Sequence, residues 1–164
     1  MTTQQQQLGF SLIELLTVVA IVGIISAIAI PNFFSSRRSA NEASAVSTMR
    51  VIFSAQSTYR ATSGSGSYGD LTTLETAGLI DSVVAASDTT PKSGYLFTVD
   101  QVSGPSYPAF DATAEPTTAT GPLATGTRSY FVNETGVLQF AVSATAPSCT
   151  ADNARVISGG APLN

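Results

Sequence analysis

From Phe10 to Ile30 the chain runs for twenty-one residues that are apolar apart from Ser11, Glu14, Thr17 and Ser26. At ~1.5 Å per residue a helix of that length spans roughly 30 Å, the thickness of a bilayer's hydrocarbon core. Two ordinary readings of the run leave Glu14 without a role. A secretory signal peptide, cut at the small-x-small sequence Ala27-Ile28-Ala29, wants a basic start and a short apolar core. Here residues 1–9 hold no Lys or Arg, and an acid opens the core. A plain membrane anchor accounts for the length, but a carboxylate inside the hydrocarbon costs ~2.5–3.5 kcal/mol.

The block Gly9-Phe10-Ser11-Leu12-Ile13-Glu14, followed directly by the apolar run, does give the acid a role. It resembles the processing motif of class III signal peptides in type IV pilins and type II secretion pseudopilins. Pro31, twenty-one residues beyond Phe10, lies where that family commonly has a proline. The resemblance covers residues 9 to about 34; further on it is one of layout. It implies a leader over residues 1–9, cut after Gly9 by a prepilin peptidase that also methylates the new N-terminal residue, Phe10. It implies a transmembrane and polymerisation helix over 10–31, with Glu14 at the fifth position of the mature chain. The implied partners are membrane lipid before assembly, an inner-membrane assembly platform, and copies of the chain and other pilins in a filament. The implied location is a single pass through the inner membrane, then a cell-surface pilus or a periplasmic pseudopilus.

The motif is chemically coherent. Glycine offers no side chain to obstruct a peptidase at the membrane surface. Cleavage creates an ammonium on Phe10, and methylation keeps its charge. Paired with Glu14 of a neighbouring subunit, that ammonium sets a stagger, because every wrong alignment leaves two charges unpaired in a low dielectric. The sequence departs from the family at the leader, where a Lys or Arg commonly precedes the glycine. Arg37 and Arg38 follow the run, and the positive-inside rule alone places that side in the cytoplasm. The motif places it outside, since a cytoplasmic head could not join an external filament.

Pro31 removes one backbone donor and crowds the carbonyl of Ala27, so a kink is expected there, with Gly23 a second weak point. Small residues at Ala20, Gly23, Ala27 and Ala29 permit close helix approach. Residues 32–60 turn amphipathic, with Ala45, Val46, Met49, Ile52, Phe53, Gln56 and Tyr59 on one face and Arg38 spaced to pair with Glu42 on the exposed side. The breaker run Ser63–Ser67 ends the helix.

Residues 61–164 read as a globular head. Asp70 caps a short helix with Leu71 and Leu74 facing inward and Gly78 ending it. Leu79–Asp81 and Val83-Val84 read as a packed connection. Tyr95, Phe97 and Val99 alternate as a strand, Tyr107–Thr113 is a weaker one held to an edge or an end by Pro108, and Ala114–Gly126 is a loop. Arg128–Asn133 and Val137–Val142 flank the hairpin turn Glu134-Thr135-Gly136. The fold class is α+β: a long N-terminal helix packed on an antiparallel sheet of three to four strands.

Composition narrows the function. In residues 61–164 three bases (Lys92, Arg128, Arg155) face nine acids, leaving −6, which argues against nucleic acid as a partner. The chain has no His and a single Cys, Cys149, so neither a Ser-His-Asp site, a Cys/His zinc site nor an internal disulfide can be built. Many major pilins close a C-terminal loop with two cysteines, and this chain cannot. Asp152-Asn153 or paired head carboxylates are the nearest approach to a calcium site, without EF-hand spacing. No cofactor, metal or enzymatic activity is expected. The favoured function is a structural subunit of a type IV pilus. The alternatives are a type II secretion pseudopilin, or a minor pilin with an adhesive or DNA-binding tip role.

Overall fold

The computed structural model describes residues 9–102 and 106–163. Residues 1–8, all but the last of the expected leader 1–9, lie outside the described residues. The chain divides into two compact units, residues 1–35 and 36–164. In the first, helix α1 (Leu12–Ala61) begins and carries Pro31 within it. An 18-residue window of α1 has a mean hydropathy of 2.6 and none of it is buried, so α1 is long and apolar enough to cross a membrane.

In the second unit the rest of α1 supplies one layer of the core. Ala45, Thr48, Met49, Ile52, Ala55 and Gln56 are buried, and Val46, Phe53 and Tyr59 pack at the margin, so the three- and four-residue spacing translates into one packed face. Gln56 is polar and fully buried because its amide bonds both backbone groups of Gly69: Nε2 donates to the carbonyl at 2.6 Å and Oε1 accepts from the N–H at 3.1 Å. Glu42 does not pair with Arg38. Its carboxylate accepts from the backbone N–H and hydroxyl of Thr127, at 2.8 and 3.0 Å. Among the described residues the ion pairs are those of Arg155. A turn from the sheet outcompetes the helix pair because its N–H otherwise goes unsatisfied.

Helix α2 (Leu71–Thr76) is capped by Asp70, whose carboxylate accepts from Thr73 N–H, and is followed by Gly78 at φ +71°. The stretch read as a connection contains a helical turn, α3 (Ser82–Ala85), capped in the same manner by Asp81 through Val84 N–H. A 3-10 turn, Ala86–Asp88, follows.

The sheet is larger than the sequence predicts. It has five antiparallel strands in the order β1 (Tyr95–Val102), β2 (Ala109–Pro116), β3 (Ser129–Asn133), β4 (Gln139–Ala141) and β7 (Ala161–Pro162). A separate two-stranded ribbon pairs β5 (Ser148–Cys149) with β6 (Ile157–Ser158). β2 is interior, not an edge; Pro108 sits just before it and Pro116 closes it, so neither proline withholds a donor from its middle. The stretch Ala114–Pro116 is therefore strand, and the loop begins at Thr117. In register, Phe97 lies opposite Ala114, Val99 opposite Ala112, and Ala114 opposite Tyr130. Large rings thus alternate with alanines across the face that packs on α1. Phe131 points to the opposite face and is buried there too.

Candidate functional site

The residues singled out for processing sit at the start of α1. Gly9, Phe10 and Ser11 precede the helix in extended or irregular backbone, and Phe10 is 91% exposed. A Cβ on Gly9 would meet nothing within 4 Å, so nothing in the fold itself demands glycine there. The Gly9–Phe10 peptide is free of helical hydrogen bonding, the condition a peptidase needs to draw a backbone into an extended pose.

Glu14 lies in the first turn, where its charge complements the positive end of the helix. Its carboxylate accepts from the backbone N–H of Ser11 at 2.9 Å. Ser11 occupies the capping position and Glu14 the third helical residue, so this is one half of a capping box. Sequence reading missed that contact, although the Ser-x-x-Glu spacing carried the signal. The same stretch thus presents the Gly9–Phe10 peptide bond outside the helix and, four residues beyond Phe10, a carboxylate turned towards the N-terminal end of α1.

Downstream, every large apolar residue from Leu12 to Ile30 is exposed, as is Phe33. Gly23 has open space around it: an added Cβ would meet nothing within 4 Å. Thr17 hides its hydroxyl on the carbonyl of Ile13 at 2.7 Å, and Asn32 turns its amide to the carbonyl of Ile28 at 3.1 Å. Both choices suit a helix whose surroundings offer no water. Pro31 is accommodated within α1 without ending it.

In the head, Asp152 and Asn153 are engaged locally. Asp152 accepts from Thr150 Oγ1 at 2.6 Å and from the N–H groups of Ala154 and Arg155 at 3.2 Å, while Asn153 accepts from Ser106 N–H at 2.6 Å. These bonds hold the Asp152 carboxyl below its ordinary value, the Thr150 hydroxyl first among them. Among the described residues no three His, Cys, Asp or Glu side chains come together as metal ligands. Cys149 is half-buried, and burial pushes its thiol pKa up.

Two comparisons each match part of the chain. Residues 4–30 match the family model for the prokaryotic N-terminal methylation motif. A stretch of 51 residues is 43% identical to a protein described as type IV major pilin protein PilA from Myxococcus xanthus (strain DK1622). The stretch covers 31% of this chain and 23% of that relative. No solved structure matches the chain.

Proposed function

We propose that this chain, whose N-terminal segment is of the type IV pilin kind, is a structural subunit of a type IV pilus. The carrying observation is the arrangement at residues 9–14: a non-helical Gly9–Phe10 bond heading an unburied apolar run, residues 10–30, whose single acid, Glu14, faces the N-terminal end. On this reading a prepilin peptidase cuts after Gly9 and methylates Phe10. The helix rests in the inner membrane and then passes, through an assembly platform, into a filament of like subunits. Glu14 pairs there with the Phe10 ammonium of a neighbour. The apolar surface from Leu12 to Ile30 exchanges lipid for neighbouring helices, which explains why it is left uncovered within the single chain. Gly23 and Pro31 loosen the helix to fit that packing.

The test is intact-mass measurement of membrane and sheared-filament fractions, paired with electron microscopy of the filaments. The expected mass lacks residues 1–9 and carries one added methyl group, and the chain is the bulk filament component. A mature start near Pro31 would overturn the reading. Correct processing with no surface filaments would move the chain to a secretion pseudopilus.

A further inference from the structure

The segment after β4 is fastened in an unusual way. It lies over the sheet face opposite α1: Ser129 Oγ donates to the carbonyl of Thr145 at 2.7 Å, and Ala146 N–H donates to Glu115 at 2.7 Å. It returns to the sheet only through β7, whose pairing with β4 involves two residues. Among the described residues 141–163, the buried ones are Pro147 and Arg155. None belongs to the hydrophobic core cluster. Where a hydrophobic anchor is the rule, a cation sits instead.

Arg155 is 7% exposed and holds a left-handed backbone at φ +46°, a conformation a non-glycine residue keeps only when its surroundings enforce it. Its guanidinium reaches four places at once. Nε and Nη2 donate to the two oxygens of Glu134 at 2.8 and 2.9 Å. Nη2 also donates to the Phe110 carbonyl at 3.1 Å and bonds the Asp111 carboxylate. Nη1 donates back to the segment's own Thr150 carbonyl at 3.0 Å. One side chain therefore ties the ribbon to β2 and to the β3–β4 turn. The other ionisable groups around it are Asp100, paired with Asp111 across β1 and β2, Cys149 on β5, and Asp152 in the ribbon's loop.

We propose that residues 143–163 form a strap over the outer face of β2 and β3 that is fastened by Arg155 and opens as a unit while the sheet and α1 core stay folded. The reason is the division of burial. Removing a lone partner from a buried ion cluster leaves uncompensated charge and is strongly destabilising. Here Arg155 holds down a segment that lies outside the α1 core cluster and whose own buried residues are Pro147 and Arg155, so releasing it lets water reach Asp111 and Glu134 without opening that core. Opening uncovers Phe131 and the Cys149 thiol. As the chain's single cysteine, Cys149 reports the event directly.

The experiment uses the full-length chain in detergent micelles. In the native chain, hydrogen exchange should be at least tenfold faster for the amides of Thr150, Arg155 and Val156 than for those of Phe97, Ala112 and Val132. In Arg155→Met, maleimide labelling of Cys149 should accelerate at least tenfold, with exchange in β1–β3 unchanged. The combination Arg155→Met, Asp111→Asn and Glu134→Gln removes all three charges and should bring labelling back towards the native rate. Equal exchange of strap and sheet in the native chain would overturn the proposal. So would native labelling in Arg155→Met, or global unfolding of that variant together with the neutral triple.

Discussion

Glu14 has one partner within the chain and a second in the proposed filament. Its carboxylate closes the first turn of α1 by accepting from Ser11 N–H; in the proposed filament it answers an ammonium. Glu14→Gln separates these, because an amide oxygen still accepts the Ser11 N–H but cannot neutralise a charge. Filament counts beside membrane-fraction blots should show both Glu14→Ala and Glu14→Gln inserted but deficient in filaments, by more than tenfold. Normal filaments from Glu14→Gln would reduce the residue to a helix cap. At the strap, Glu134 and Asp111 share Arg155, but their carboxyl pKa values are shifted in opposite directions. Burial pushes the Asp111 carboxyl above its ordinary value, reinforced by Glu134 and Asp100, and Arg155 only partly offsets it. Burial is also the largest single influence on Glu134, but Arg155 and backbone donors together outweigh it and hold that carboxyl below its ordinary value. A depressed carboxylate stabilises the fold fully above its unfolded pKa and loses that contribution as pH falls through the folded one. Melting curves from neutral pH down to about 3 should therefore show the native chain losing more stability below about pH 4.5 than Glu134→Gln does. Ser11 was readable from its spacing to Glu14, whereas Arg155 was not. Its acidic partners lie 44 and 21 residues away, where no periodicity connects them.

At the scale of elements, the tightest joint is between β1 and the loop that follows β2. Tyr95 is fully buried and donates its hydroxyl to the Arg128 carbonyl at 2.7 Å, and Gly126 passes directly against that hydroxyl. A Cβ at 126 would occupy the oxygen's place. Gly126→Ala should cost about 1–3 kcal/mol through overpacking and loss of that bond, measured by thermal or denaturant unfolding. Gly78, where a Cβ would meet nothing within 4 Å, is the comparison that tests crowding against backbone conformation. The sequence announced elements whose burial is self-evident: α1 through its apolar stripe, β1 through alternation, the β3–β4 hairpin through Glu134-Thr135-Gly136. Those that borrow their stability showed weakly or not at all. β2, read only as a weaker strand over Tyr107–Thr113, carries Phe110 as its one large apolar side chain and becomes a central strand because rings on β1 and β3 fill the space its alanines leave. α3 hid in four residues, and β5, β6 and β7 have two each, too short for any period to register.

For the whole molecule, the unit from Ser36 onwards contains both α1's packed stripe and the sheet it covers. A chain starting at Ser36 should be folded and monomeric. Size-exclusion chromatography and dispersed amide chemical shifts would check this, and aggregation would show that the apolar segment is needed for more than anchorage. The same unit carries most of the acids, and the manner in which they are held has an evolutionary consequence. Glu42, Asp70, Asp81, Glu115 and Asp152 each accept from a backbone N–H. That donor exists whatever the neighbouring side chains become, and Asn, Gln, Ser or Thr oxygens also accept from it. Descendants of this chain can therefore shed negative charge one position at a time without rebuilding the backbone. Selection on what the surface meets is free to act separately from selection on the fold.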